Sequence, residues 1–292
     1  MNLNQIKKLM ERRKTDHQGD NGNLLIVGGS EDYVGAPTLA GLAALRAGCD
    51  SVTIASPEKV AWAINYITPD LITKKFPGTY FTLKHAKEIL KLSEKFDTLL
   101  IGNGLSRKAD RFSLYLIKKS MRPKVIDADA LKPLSFKEFH NSLLTPHWKE
   151  MEIMIANSNK DFLLPKLRSS NPKEAAEILQ GNLKYFLQNN NVLLIKGPTD
   201  IIISKNKIAL NKTGNPGMAK AGTGDVLAGI AAGLLSKTKD LFKSAVAASY
   251  LNGYVGDLLL KKKKGYTFIA SDIIEDLGKI SKYKPVKKKK KK

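Results

Sequence analysis

Asn215-Pro216-Gly217-Met218-Ala219-Lys220-Ala221-Gly222-Thr223-Gly224-Asp225-Val226-Leu227-Ala228-Gly229-Ile230 changes character halfway along. It opens as a Gly/Pro-rich loop and closes as an apolar helix running to about Leu235. Gly222 and Gly224 tolerate positive φ and let backbone N–H groups approach a ligand closely. Thr223 is suited to cap the helix that follows. Uncapped N–H groups and the positive end of the helix dipole then favour a phosphate. Asp225 is out of place in such an anion site, because a carboxylate repels a bound phosphate. One reading makes it a base that takes a proton from a hydroxyl attacking the phosphate. The other makes it a first-turn acid that suits the dipole. Spacing alone leaves both open.

Working outward, short apolar runs alternate with helical periodicity. Leu24 to Val27, Ser51 to Ala55, Leu71 to Phe76, Thr98 to Ile101, Lys124 to Asp127, Leu143 to His147 and Val192 to Gly197 read as strands. Wholly apolar runs of this length belong to strands covered on both faces. Helices are expected near residues 1–14, from Gly35 to Ala47, after Pro57, over Leu83 to Phe96, Asp110 to Ser120 and Pro172 to Asn189. Asp200 to Ser204 and Lys207 to Leu210 suggest a hairpin, and beyond Leu235 come helices over Lys239 to Leu260 and Ser271 to Ile280. This alternation predicts an α/β/α sandwich on a mostly parallel sheet. Ligands of such sheets bind at the carboxyl ends of the strands. Gly28-Gly29, Gly102, Gly104, Asp127, Asp129, His147 and Lys196-Gly197 all fall there, so the glycine motifs should share one edge.

Composition narrows the classes. One cysteine excludes an internal disulfide and a cysteine-based zinc site, and the four histidines show no metal-ligand spacing, so no metal-ligating residues are assigned. No apolar run approaches the ~20 residues of a membrane helix, and the basic start lacks a signal-peptide core. A cytoplasmic protein without a membrane partner is expected. The net charge of +22 includes the run Lys287 to Lys292. It attracts polyanions without specifying one, so no specific nucleic acid is expected. Residues 1–280 read as a single domain and 281–292 as a disordered Lys-rich tail.

No GxxxxGK[ST] occurs, and Gly102-Asn103-Gly104-Leu105-Ser106-Arg107 lacks the third glycine of a dinucleotide fingerprint. An anion hole and base opening a late helix resemble the ribokinase-like superfamily, whose Gly-x-Gly-Asp hallmark matches Gly222-Thr223-Gly224-Asp225. Within it the chain resembles the ADP/ATP-dependent NAD(P)H-hydrate dehydratases. The resemblance rests on Gly28-Gly29-Ser30, Gly35-Ala36-Pro37, Leu45-Arg46-Ala47-Gly48, Gly102 to Leu105 and Asp127 to Leu131. It continues through Thr145-Pro146-His147 with Glu150, Lys196-Gly197-x-Thr199, and Gly214 to Ala219 leading into Gly-Thr-Gly-Asp. Thr223 replaces the usual Ser, Lys149 a usual Gly, and Gln18 a common Lys.

The resemblance implies a ribokinase-like fold and dehydration of the S-epimer of hydrated NAD(P)H (NAD(P)HX). ADP or ATP would be the phosphoryl donor, with Mg²⁺ bridging its phosphates. It implies a homo-oligomer, a tetramer. Lacking the epimerase domain fused in many members, the chain should perform only the dehydratase step. Ala36, Gly104, His147 and Asp225 would lie along the hydrated nicotinamide nucleotide. Lys196, Gly197, Pro198, Thr199 and Asp200, with Asn215, Gly217, Met218, Ala219, Gly222 and Gly224, would hold the adenine nucleotide. Asp225 would be the base, with Gly222, Thr223 and Gly224 stabilising the transferred phosphoryl group. Plainer readings stand beside these: His147 as a cap, Glu150 as a helix-start acid, Asp127 and Asp129 as acceptors for loop backbone, Lys196 as a solvated strand-end cation. The rival functions are a small-molecule kinase of the same superfamily, acting on a thiamine-precursor alcohol, and a polyanion binder using the Lys tail.

Overall fold

In the computed structural model, residues 1–263 and 265–280 are described. The Lys287–Lys292 tail, and with it the expected disorder over 281–292, lies outside the described residues. Nine strands form one sheet: β1 (Asn23–Val27), β2 (Ser51–Pro57), β3 (Ile72–Phe76), β4 (Thr98–Ile101), β5 (Lys124–Ile126), β6 (Ser142–Leu144), β7 (Asn191–Ile195), β8 (Asp200–Ile203) and β9 (Ile208–Asn211). Their order is β3-β2-β1-β4-β5-β6-β7-β8-β9. Pairing is parallel from β3 to β7, and the expected hairpin adds β8 and β9 antiparallel. The order reverses between β1 and β4, and at such a switch point the loops diverge and leave a crevice. The loops after these two strands carry Gly28-Gly29 and Gly102 to Gly104.

The helices are α1 (Leu3–Met10), α2 (Gly35–Arg46), α3 (Glu58–Ile67), α4 (Leu83–Ser93), α5 (Asp110–Lys119), α6 (Trp148–Asn157), α7 (Leu164–Ser169), α8 (Pro172–Asn182), α9 (Lys184–Gln188), α10 (Thr223–Thr238), α11 (Leu241–Lys262) and α12 (Ala270–Leu277). Alternate strand residues serve two cores, which is why the strands are apolar throughout. Leu24, Ile26, Leu100, Val125, Leu143, Val192 and Leu194 join the core under α2, α10, α11 and α12. Leu25, Val27, Leu99, Ile101, Ile126, Leu144, Leu193 and Ile195 join the core under α4, α5, α6 and α8. This is the three-layer sandwich anticipated above. No helix among the described residues is long and apolar enough to cross a membrane.

Helix α10 sits at the centre of its layer, with almost every residue buried. Close approach to α2 depends on small side chains on both helices. A Cβ on Gly229 would lie 2.1 Å from the Ala40 carbonyl oxygen, and one on Gly233 2.6 Å from that of Ala44. This contact fixes where the N-terminus of α10, and hence Asp225, emerges above the sheet.

Two local expectations need correction. The helix expected over Pro172 to Asn189 is two, broken at Leu183. Gly181 and Asn182 are weak helix formers, and the Asn182 amide donates to the Ile178 carbonyl at 2.8 Å. Beyond Glu150 as a helix-start acid, the sequence reading draws no helix over 148–171, where α6 and α7 lie. The exposed Ile153 on α6 blurs its apolar periodicity, although the start signal was present: His147 and Glu150 form a capping box.

Candidate active site

Strands β4, β5, β6 and β7 each deliver one side chain from just beyond their carboxyl ends, and α10 brings Asp225 down to meet them. Asp225 Oδ1 accepts a 2.6 Å hydrogen bond from Asn103 Nδ2. The same nitrogen donates to Asp127 Oδ2 at 3.2 Å. Asp127 Oδ1 accepts from Thr145 Oγ1 at 2.7 Å and from Lys196 Nζ at 2.9 Å. Two carboxylates, one ammonium, one amide and one hydroxyl therefore form a single connected chain.

The electrostatics follow from burial and this company. Burial pushes the Asp225 carboxyl up to about 7, and the negative charge of Asp127 adds to the rise. The Asn103 hydrogen bond and the Lys196 charge pull the other way. Burial acts to lower the Lys196 ammonium, but Asp127, Glu150 and Asp225 together raise it, and the net shift is upward. Glu150 is itself raised, chiefly by burial. A carboxyl poised near neutrality is suited to general-base work.

The N-terminus of α10 opens without a capping side chain. Gly222 occupies the cap position in the left-handed region at φ +90°. A Cβ there would also lie 2.8 Å from Leu39 Cδ1. The expectation that Thr223 caps the helix is corrected. Its hydroxyl donates backwards to the Met218 and Lys220 carbonyls at 2.7 and 2.9 Å. Because the chain enters the helix through a left-handed glycine, Thr223 is already the first helical residue, and its hydroxyl braces the loop instead. Lys196 Nζ approaches the same terminus, 3.5 Å from where a Gly224 Cβ would stand.

The other residues named from sequence are placed as follows. Gly104 meets the start of α2, a Cβ on it lying 3.3 Å from Ala36 Cβ. His147 Nδ1 accepts from the Glu150 N–H at 3.1 Å as the cap of α6, and His147 bridges Lys196 in parallel register. Asp200 is tied by the Gly197 N–H at 3.0 Å and the Ser249 hydroxyl at 2.7 Å, and burial raises its carboxyl. Asn215 accepts from Gly217 N–H at 3.0 Å and donates to Asp257 at 3.1 Å. Gly217 is buried against the Phe268 ring and Met218 packs on Gly214 and Gly256, while Ala219 ends the short turn Pro216–Met218. A cleft of about 410 Å³, lined by Trp148, Arg168, Pro198 and Thr199 among others, abuts this side and does not include Asp225.

Sequence reasoning missed Asn103 and Thr145 as individual contributors. Of the two acids given a plainer reading as acceptors for loop backbone, Asp127 is instead the hub of the side-chain chain, whereas Asp129 does accept from the Ser106 N–H at 3.0 Å. The signal available for Asn103 was a polar side chain between two glycines at a strand end.

Residues 24–279 match the sequence family described as NAD(P)H-hydrate dehydratase. The chain belongs to the NAD(P)H-hydrate dehydratase family. It is 35% identical over 278 residues to a bifunctional NAD(P)H-hydrate repair enzyme of Methanothermobacter thermautotrophicus, a match covering 92% of this chain and 51% of that protein. The chain thus spans about half the length of the curated relatives of this bifunctional kind. It is 32% identical to an ADP-dependent (S)-NAD(P)H-hydrate dehydratase of Nitrosopumilus maritimus over 95% of this chain and 94% of that one. The crystal structure of the ADP/ATP-dependent NAD(P)H-hydrate dehydratase of Bacillus subtilis, co-crystallised with ATP/Mg²⁺, superposes with a TM-score of 0.77 at 28% identity, over 96% of each chain. The family's fold, ribokinase-like as anticipated, is shared throughout.

Proposed function

We propose that the chain dehydrates the S-epimer of hydrated NAD(P)H back to NAD(P)H at the expense of a nucleotide phosphoryl group. The observation that carries this is Asp225, half-buried, held by Asn103 at 2.6 Å and raised to about 7, at a helix N-terminus with no side-chain cap. Asp225 takes the proton from the ring hydroxyl. The freed oxygen attacks the terminal phosphorus of the donor, and the bond from that phosphorus to the bridging oxygen breaks. Backbone N–H groups of Gly222 to Gly224 receive the charge on the group in transfer. Loss of phosphate with a proton from the neighbouring carbon restores the ring double bond.

Ala36, Gly104 and His147 flank the substrate in this reading. Lys196 to Asp200 and Asn215 to Gly224 face the adenine nucleotide, with ADP the donor, as the name of the Nitrosopumilus relative supports. Among the described residues no three His, Cys, Asp or Glu side chains converge to hold a metal. Mg²⁺ would sit on the donor's own phosphates and neutralise their charge. A homo-oligomeric, tetrameric assembly and a cytoplasmic location belong to the same proposal, and light scattering tests the assembly.

The deciding experiment follows the return of the NADH absorbance from its hydrate with ADP, with ATP and without nucleotide. Recovery with matching release of free phosphate is expected, faster with ADP. A stable phosphate ester without NADH would reassign the chemistry to a small-molecule kinase.

A further inference from the structure

Asn103 is fully buried, and its side chain is committed in an unusual way. Both hydrogens of its amide nitrogen go to carboxylates, Asp225 at 2.6 Å and Asp127 at 3.2 Å. Its amide oxygen, equally buried, has no hydrogen-bond partner among the described residues. A buried acceptor left unpaired is unfavourable, because it has lost its water and gained no donor. The reversed amide would set that oxygen against two carboxylates, so the acids dictate the orientation. Two carboxylates on one nitrogen repel each other unless something between them donates to both. Chemistry restricts what that can be. A lysine there would donate to both but would strip the base of its proton affinity. A serine offers one hydrogen, and an apolar residue none. A primary amide supplies two hydrogens and no charge. The cation of this cluster, Lys196, bonds the far oxygen of Asp127 instead, so the salt bridge is one residue removed from the base.

We propose that Asn103 is a positioning residue: by bridging two carboxylates through one amide nitrogen, it locks the orientation of Asp225 and keeps it ionisable beside a second negative charge. The groups facing Asp225 are Asp127 and Asp129 beyond β5 and Lys196 beyond β7, with Glu150 of α6 acting on Lys196 and Asp127. Asn103 and Lys196 favour the ionised form, and of the two only Asn103 hydrogen-bonds it. The inference deepens the proposed reaction and rests on Asp225 being its base.

The test is a titration of the Asp225 carboxyl by ¹³C NMR in the full chain, with Asp225→Asn assigning the resonance. It is run on the wild type, Asn103→Ala and Asn103→Ser, alongside the pH profile of NADH recovery. In Asn103→Ala the midpoint should move up by about one pH unit. Below the midpoint that lowers the ionised fraction, and kcat with it, about tenfold. KM for the donor nucleotide should stay within about twofold, since the Asn103 side chain is aimed at the two acids. Asn103→Ser, keeping one hydrogen, should fall between. An unmoved midpoint in Asn103→Ala overturns the inference, and if that variant does not fold, an unmoved midpoint in Asn103→Ser does. The titration needs no turnover. A shifted midpoint in a protein that recovers no NADH would therefore reject the proposed reaction while leaving the hold of Asn103 on Asp225 standing.

Discussion

Asp225 and Lys124 have the same anomaly and different surroundings. Each is pushed to about 7, the carboxyl upward and the ammonium downward, and burial is the leading cause in both. Lys124 opens β5, at the amino end of the sheet. It is fully enclosed, and its ammonium donates to the His140 carbonyl at 2.9 Å. Burial is the sole cause of its lowered proton affinity. Asp225 stands at the opposite end of the sheet, where Asn103, Asp127 and Lys196 converge on it beside an open helix terminus. A perturbed proton affinity therefore marks burial, and a reactive site needs more: partners that hold the group, and a place for the molecule it acts on. Strand β5 carries both lessons, with Lys124 at its start and Asp127 just past its end.

The largest effect expected is at Asp225. Asp225→Asn should lower kcat for the proposed reaction by about 10²–10⁴, the usual loss for a general base. Donor affinity should hold or tighten, because repulsion of the phosphates is relieved. The folded carboxyl binds its proton more tightly than the unfolded one, whose value is 3.8. Stability therefore falls as pH rises between 3.8 and about 7, and the variant should lack that fall, with Tm at pH 8 equal or higher. Wild-type kcat should climb with pH through about 7 as the base ionises. A variant with near-normal kcat and a lowered Tm would make Asp225 a second Lys124, a group shifted by its surroundings and nothing more.

Lys124→Met tests the other half of the contrast. The folded ammonium holds its proton less tightly than the unfolded one, so wild-type stability should rise with pH between about 7 and 10.5. Removing the amine should abolish that rise and stabilise the fold by a few kcal/mol below pH 7, given ~1.4 kcal/mol for each tenfold loss of proton affinity. Thermal melts at pH 6 and 9 read this, and kcat should not change. A loss of turnover would bring the amino end of the sheet into the chemistry.

Gly222→Ala should cost about 1–2 kcal/mol for a left-handed alanine. It should also weaken ADP binding about tenfold by displacing the proposed anion seat, measured by calorimetry. Unchanged affinity would separate the helix terminus from the donor. The smallest effect is expected for His147→Ala, a stability loss of about 1 kcal/mol from the missing cap of α6. An additional rise in KM for the hydrate would give His147 the substrate contact that the family resemblance implies.

What was legible in the sequence is what is local. Leu24 to Val27, Thr98 to Ile101 and Val192 to Ile195 announce buried strands because each carries its own pattern. Gly222 to Asp225 announces the start of a helix after a glycine loop for the same reason. The partners of Asp225 are not local. Asn103 is 122 residues away, and Lys196 is 69 from Asp127. Between two glycines Asn103 reads as a turn residue, and Asp127 as the start of a loop. Nothing short of the strand order brings them together. The role given to Thr223 failed on one backbone angle, the left-handed turn at Gly222, which moves the helix start by a residue.

The central position of α10 also bears on how the protein is made. Leu24, Ile26 and Leu100 on the sheet, with Ala40 and Ala44 of α2, share its core. All of them are synthesised long before it. At ~5–20 residues per second, the 122 residues from Asn103 to Asp225 take roughly 6–24 s. Until then the face of the sheet that α10 covers lacks its central helix.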